Sequence, residues 1–495
     1  MTRVLELVQG VLRDDDVTDA DLEPRTSAAT APTPAPPAAV TTPLPDAPRS
    51  PEPLSADRLT EAGAAERFVR QHAGTLRYDH GRSRWLFWRG HHFASDLDGE
   101  ITRLAIDTVH QWQREALDIP DVRAKSAVLS WATAFDRRAK LQAMLALAAD
   151  LAPVAAAGSA WDRDPWLLGT PTGVVDLHTG ELRPGRPDDA ITMQTAVGFD
   201  REATCPRWLQ AIDEWFPDPA LADYMARALG YSLTGSMGEQ AWFACYSGGA
   251  NGKSTLLRAV AHVLGDYAYD MPFSVVELNQ RSAIPNDLAA LAGRRFIMAS
   301  ETNDGTRLNE ARLKSWTGGD ACTARFLHGE FFTFTPTGKI WLAFNHKPIV
   351  RDDSYGFWRR VRLVPFLRTF APDPTLGDVL RHETPGILAW LIRGCLEWQV
   401  RGLEAPEIIT DATADYQQGS DVFGRFLTEA CEVDEFAEVS ATDLYRHYEE
   451  WAERQGYGPR ERLTMTKFGT KAGERLRRVH TRTGWLYLGV ARTSA

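Results

Sequence analysis

The residues with the clearest chemistry lie in one stretch, Ser247-Gly248-Gly249-Ala250-Asn251-Gly252-Lys253-Ser254-Thr255. Small residues let backbone N–H groups close around phosphate oxygens, and a helix start turns its positive dipole end toward them. A Lys in such a loop reaches the β- and γ-phosphates, and the hydroxyl after it meets Mg²⁺. Lys253 and Ser254 fit those roles, with Gly248, Gly249, Ala250, Asn251, Gly252 and Thr255 as the cradle. The strict pattern G-x-x-x-x-G-K-[ST] breaks at its first position, where Ser247 replaces Gly. An ordinary Gly-rich turn before a helix is the alternative. The order of elements favours phosphate. Ala241–Tyr246 is a short apolar run suited to a buried parallel strand, and Ser254–Leu264 has helical periodicity.

Other chemistry follows similar apolar runs. Phe296–Ala299 ends in Ser300-Glu301, an acid at a strand tip that could hold Mg²⁺ or orient a water. No second acid precedes it, so Glu301 would have both tasks; a solvated Glu after an edge strand is the bland reading. Ile340–Phe344 ends in Asn345-His346-Lys347-Pro348. The Asn345 amide can polarise water beside a γ-phosphate, or simply start a turn. Gly356–Phe366 contains Arg359 and Arg360. A guanidinium supplied from a neighbour can spread over charge developing on a transferred phosphoryl group, and pairing with a structural carboxylate is the alternative.

These groups need a frame. Alternating strands and helices from about 236 to 370 predict an α/β core with a parallel sheet. Before it, residues 55–235 read as a mixed then mostly helical domain. Tyr78–Phe93 suggests a strand pair around a Gly90 turn, 100–118, 121–150 and 218–234 suggest helices, and Gly173–Arg183 suggests strand, Thr-Gly turn, strand. Residues 1–54 combine a short apolar-periodic segment, Val4–Leu12, with ten prolines between 24 and 53, a composition that cannot bury enough apolar surface to order itself. Residues 371–420 read as a helical connector. From 421 the chain suggests three short helices (421–431, 440–455, 464–476) and a hairpin, Val479–Val490, turning at Gly484: a winged-helix-like module.

In chain order, Gly-Ala-Asn-Gly-Lys-Ser, Ile284-Pro-Asn-Asp-Leu288, Ala299-Ser-Glu301, Lys314-x-x-Thr317-Gly-Gly-Asp320-x-x-x-x-Arg325, Asn345-His-Lys-Pro348 and Trp358-Arg-Arg360 resemble the superfamily 3 helicase domain of phage and plasmid primase–helicases, related to the poxvirus-type primase–helicases. The resemblance is strongest over about 160–370. It implies a P-loop AAA+-like core assembled as a ring, a hexamer, with ATP and Mg²⁺ between subunits and single-stranded DNA in the pore. Lys253 and Ser254 would bind phosphate and Mg²⁺, Glu301 would be the Walker B acid, Asn345 sensor 1, and Arg359 or Arg360 would reach the neighbour's ATP. A pore hairpin is implied at Thr323–Phe334, with Arg325 and His328 as DNA contacts; Gly329-Glu330 at its tip departs from the family in offering no second cation. Many members begin with a priming domain whose strand ends in Asp-x-Asp. Asp162-Arg-Asp164 reads as a turn before Pro165, so a helicase without priming activity of its own is expected.

The chain has 495 residues and a net charge of −11, with 44% apolar and 24% charged residues, an ordinary globular composition. From Pro459 onward, however, nine basic residues face two acids. That reversal suits a phosphate backbone. Lys467, Lys471, Arg475 and Arg478 recur at helical spacing and would share one face toward duplex DNA; a solvated basic surface is the alternative. The five cysteines are widely spaced, which argues for free buried thiols. No apolar run is long enough to span a membrane, and no secretory leader is seen, so a cytoplasmic protein is expected. The partners expected are DNA, further copies of the chain, and a separate primase recruited by residues 1–54. Two other readings remain at this stage: an origin-binding or ring-forming scaffold that binds ATP without unwinding, and a small-molecule P-loop kinase.

Overall fold

The computed structural model describes residues 58–278, 285–300, 305–327, 329–458, 462–482 and 484–493. The apolar segment Val4–Leu12 and the Pro-rich stretch lie outside the described residues, as do Glu301 and His328. The described residues divide into two units, 58–413 and 414–493.

The first unit opens with helix Glu61–His72 and a four-stranded sheet, ordered Phe93–Ser95, Arg84–Trp88, Leu76–Asp79, Ala155–Ala156. Helices Glu100–Leu117, Val122–Ala134 and Arg138–Ala149 cover it. The single helical stretch expected over 121–150 is thus two helices. Phe135 is buried at the first one's end, packed on Trp131 at 5.1 Å, and Arg137 is extended (φ −114°), so the chain breaks where an aromatic ring turns inward. Trp112 and Trp131 stack at 5.2 Å in the centre of this core.

A second core runs from Leu168 to Ile409. Its centre is a sheet of five parallel strands: β1 (Trp242–Tyr246), β2 (Ala268–Asp270), β3 (Phe296–Ser300), β4 (Lys339–Phe344) and β5 (Val361–Pro365), in the order β5-β1-β4-β3-β2. Helix α1 (Lys253–Leu264) follows β1. The apolar runs predicted β1, β3 and β4. They did not reveal β2, which is three residues long, or β5, in which Arg362 interrupts the apolar pattern; both are edge strands. β4 is buried along its whole length, and Trp341 stacks on Phe243 of β1 at 4.1 Å.

Two buried cations fasten the lower end of this sheet. Lys339 at the start of β4 donates to the carbonyls of Ser236 (3.1 Å), Thr337 (3.0 Å) and Thr234, and sits 4.7 Å over the Tyr231 ring. Burial pushes its ammonium pKa well below the ordinary range. Arg295, just before β3, donates to the carbonyls of Leu233 (2.8 Å), Leu167 (2.8 Å) and Asp164 (3.2 Å). Carbonyls must satisfy charges this deep, because an unpaired one costs several kcal/mol. They tie the sheet to the segment 164–236, which holds the meander Leu167–Thr170, Gly173–Asp176, Glu181–Arg183 and the helices Pro206–Trp215 and Pro219–Tyr231. The strand–turn–strand expected at 173–183 is two of those three strands. Asp162 ends a turn, at φ 52°, and Arg163-Asp164 is irregular, so Asp162-Arg-Asp164 is not a strand end.

Helix Pro219–Tyr231 crosses helix Thr384–Arg401 at two glycines. A Cβ on Gly394 would lie 2.1 Å from the Ala226 carbonyl oxygen, and one on Gly230 would lie 2.2 Å from the Cys395 nitrogen.

In the second unit, helices Val422–Ala430, Ala441–Arg454 and Met465–Arg475 pack around Phe426, Tyr448 and Phe468. Beside them lies an antiparallel sheet ordered Cys431–Ser440, Gly484–Arg492, Arg477–Thr481. The helices and hairpin were expected; the edge strand Cys431–Ser440 was not. Its Glu-rich sequence, Cys-Glu-Val-Asp-Glu-Phe-Ala-Glu-Val-Ser, has no clean alternation, and its register shifts between Val433 and Glu438. Among the described residues no helix is long and apolar enough to cross a membrane. All five cysteines are free; four are buried and Cys322 is half-buried.

Close packing at the glycine crossing predicts that Gly394→Val destabilises the first unit by about 3 kcal/mol. Urea unfolding should show it as a lowered midpoint; a wild-type midpoint would contradict the crossing.

Candidate nucleotide site and nucleic-acid surfaces

The Gly-rich loop leaves β1 and enters α1. Gly249 (φ 110°) and Gly252 (φ 87°) take conformations open to glycine, and Ala250 (φ 52°) is a strained neighbour. Gly252 has a second constraint. A Cβ there would meet the Trp215 indole nitrogen at 2.2 Å, so the last residue of helix Pro206–Trp215 lies directly against the loop. Ser247 is absent from the positive-φ residues, which explains why the first glycine of the strict pattern is dispensable here.

Lys253 is 5% exposed, and four contacts converge on its ammonium. It donates to Ser247 Oγ (2.5 Å), the Ser247 carbonyl (3.3 Å), Asn251 Oδ1 (3.0 Å) and Asn345 Oδ1 (3.1 Å). Ser247 thus supplies a hydroxyl where the pattern has a bare glycine. Burial lowers the Lys253 pKa. Asn345 reaches the loop because β4 is hydrogen-bonded beside β1, so the tips of the two strands are neighbours. β3 lies on the other side of β4, with Ser300 beside Ala343. Glu301, next in the chain, is outside the described residues.

A cavity of about 690 Å³ opens beside Lys253. Gly249–Thr255 and Asn345 line it together with Arg207, Glu214, Trp215 and the segment Phe370–Pro374. That segment is tied to the loop by the Phe370 N–H, which donates to the Ala250 carbonyl at 2.8 Å. Sequence reasoning named none of the lining residues outside the loop and Asn345. No spacing signal marks them, because Trp215 and Phe370 come from either side of the loop in the chain and far from it.

Arg359 and Arg360 are at the opposite end of the sheet from the loop. They precede β5, whose Val361 pairs with Trp242 and whose Pro365 pairs with Tyr246. Five residues at ~3.3 Å each separate them from the strand tips by about 16 Å. The Arg359 guanidinium donates to Gln240 and that of Arg360 to the Gly356 carbonyl. Neither reaches its own chain's loop.

The Lys314–Asp320 motif begins in helix Glu310–Gly318, where Lys314 pairs with Asp352 at 2.7 Å, and runs past Gly319 (φ 77°), which ends the helix. It leads into a hairpin of Cys322–Arg325 and Phe331–Phe334, which starts one residue before the expected Thr323–Phe334. Arg325 is exposed at its tip, with its guanidinium 4.9 Å over the Phe331 ring. His328 is outside the described residues.

In the second unit, Lys467 is exposed and Lys471 half-buried on helix Met465–Arg475. The single four-residue face is corrected by two observations. Arg475 makes an ion pair with Asp421 and packs over Phe423, so it serves the fold. Arg478 is not on the helix. Leu476 is extended (φ −122°, ψ 142°), the helix stops there, and Arg478 lies on strand Arg477–Thr481 with its guanidinium 4.5 Å over Trp485.

Against known proteins, three families match. "D5 N terminal like" covers residues 65–217, "Family of unknown function (DUF5906)" covers 245–360, and "Poxvirus D5 protein-like" covers 418–485. Curated relatives include "Putative helicase L207/L206" of Acanthamoeba polyphaga mimivirus, 28% identical over 318 residues (59% of this chain, 33% of that protein). "Putative primase C962R" of African swine fever virus is 26% identical over 322 residues (59% and 33%). "Putative helicase 022R" of Frog virus 3 is 22% identical over 384 residues (59% and 39%). A solved structure titled as the apo C-terminal region of NrS-1 aligns at 9% identity and TM-score 0.43, over 87% of this chain and 99% of that one. The chain is thus similar in sequence to the primase–helicases of large DNA viruses, with D5-type segments toward both ends. It spans about a third of the length of the curated relatives it matches.

The double constraint on Gly252 predicts that Gly252→Ala costs about 2 kcal/mol, part backbone strain and part collision with Trp215. A double-mutant cycle in urea checks it: the cost should fall in a Trp215→Leu background, and an unchanged cost would rule out the indole contact.

Proposed function

We propose that the chain is an ATP-driven DNA helicase or translocase of superfamily 3 type, acting in replication of a phage, prophage or plasmid. The observation that carries this reading is the convergence of Lys253, Ser247 and Asn345 on one point beside a cavity large enough for a nucleoside triphosphate. Lys253 would exchange its present oxygen partners for β- and γ-phosphate oxygens. Loop N–H groups at the start of α1 would complete the cradle. Ser254 and Glu301 would hold Mg²⁺, which would neutralise charge on the phosphates. Asn345 would orient the attacking water.

The parallel order β5-β1-β4-β3-β2 supports a AAA+-like core, because it seats the loop between the tips of β4 and β5. The position of Arg359 and Arg360 supports shared sites. With their backbone about 16 Å along the sheet from their own loop, either guanidinium would act on a phosphoryl group of a neighbouring subunit, as in a hexameric ring. Single-stranded DNA would contact the Cys322–Phe334 hairpin, and Lys467, Lys471 and Arg478 would meet duplex phosphates. The kinase reading explains neither the distant arginines nor the basic module.

ATP turnover by the purified chain should rise at least several-fold with single-stranded DNA, and Lys253→Ala should remove it. Turnover indifferent to DNA would favour the kinase reading. Turnover without strand displacement on a forked duplex would favour the scaffold reading.

A further inference from the structure

The three-stranded sheet of the second unit has two unlike faces. Along its central strand, Gly484–Arg492, side chains alternate. Tyr487 enters the core that the three helices form, and its registered neighbours Val439 and Arg478 share its side. Leu486 and Leu488 therefore point the other way, with Val479 beside Leu486. None of these three belongs to the helical core. The leucines are half-buried and Val479 is 48% exposed, so an apolar patch lies on the face that the helices leave uncovered.

The register gives this patch an ordered charge pattern. Leu488 pairs with Glu438 on one side and Arg477 on the other, so acid, leucine and base form one row across the sheet. Both charged residues are exposed, and neither makes an ion pair with a described residue. Such a row is self-complementary. A half-turn about an axis parallel to the central strand lays Leu488 of one copy on Leu488 of another and exchanges the outer strands. Glu438 of each copy then faces Arg477 of the other. Sheets packed in this way cross at about 30°, which offsets the outer strands by about 3 Å, within reach of a Glu–Arg pair. Nucleic acid is a poor occupant of this face, because the acid-rich strand Cys431–Ser440 borders it and repels phosphate. We infer that the outer face of this sheet is a two-fold contact between the second units of two copies of the chain, with Leu488 on the axis and a Glu438–Arg477 pair on either side. The helices lie on the outer sides of the pair. The contact uses no part of the nucleotide site.

Three strands give a face only about 14 Å wide, well short of the roughly 800 Å² per partner of a lasting interface. The pairing is therefore weak, and a covalent trap reads it better than mass does. Stacked sheets lie about 10 Å apart, too far for a disulfide but within the span of a short bis-maleimide. With this reagent, full-length Leu488→Cys should give several-fold more covalent dimer on a denaturing gel than Met465→Cys, which is 50% exposed on the helical side. The wild-type chain, with four buried thiols and one half-buried, sets the background. In the Leu488→Cys chain, Arg477→Glu should cut the yield several-fold, Glu438→Arg should do the same, and the two together should restore most of it. The signs separate the contact from a local effect on the thiol. Within one chain, Glu438→Arg puts a base beside the new thiol, which favours the reactive thiolate and would raise the yield. A Leu488→Cys yield no higher than that of Met465→Cys would overturn the contact, as would a paired reversal no better than either single one.

Discussion

The arrangement depends on satisfying one buried ammonium. Lys253 is almost wholly out of water, and a cation there is tolerable only while oxygens surround it. Those oxygens come from the start of the loop, its middle, and the tip of a strand reached some ninety residues later. Loop conformation, helix start and strand order are therefore one requirement. If β4 did not lie beside β1, Asn345 could not reach the lysine. If the loop did not fold back, Ser247 and Asn251 could not.

The rest of the first unit holds that geometry from behind. Lys339 and Arg295 bind carbonyls at the lower end of the sheet, so β4 and β3 are fixed where they enter it. At the upper end the Trp215 indole occupies the space in which any Gly252 side chain would lie. The helical segment before the sheet is thus part of the site, as the single core from Leu168 to Ile409 also indicates.

What could be read in the sequence was what is local. The loop, the apolar strands β1, β3 and β4, and Asn345 at a strand tip all declare themselves within a few residues. The rest of the cavity lining does not, because Trp215 and Phe370 acquire meaning only when the chain returns to the loop. Edge strands were missed for a different reason: Arg362 in β5 and the acids of Cys431–Ser440 break the apolar pattern on which a periodicity reading relies. The error at Arg478 came from carrying helical spacing past Leu476, where the backbone becomes extended. Phe331 lay within the expected hairpin, but only the register shows that it faces outward beside Arg325.

The most direct test of the central claim, a nucleotide site completed by a second subunit, is ATP turnover in mixtures of two inactive variants. Under the proposal, Lys253→Ala and Arg360→Ala would each damage a different half of the site. Mixed before assembly, they should recover a substantial fraction of wild-type turnover, because some interfaces would pair an intact lysine with an intact arginine. If Arg360→Ala alone retained full turnover, or if no mixing ratio restored any, the site would be complete within one chain or closed by another group, and the shared-site account would be wrong.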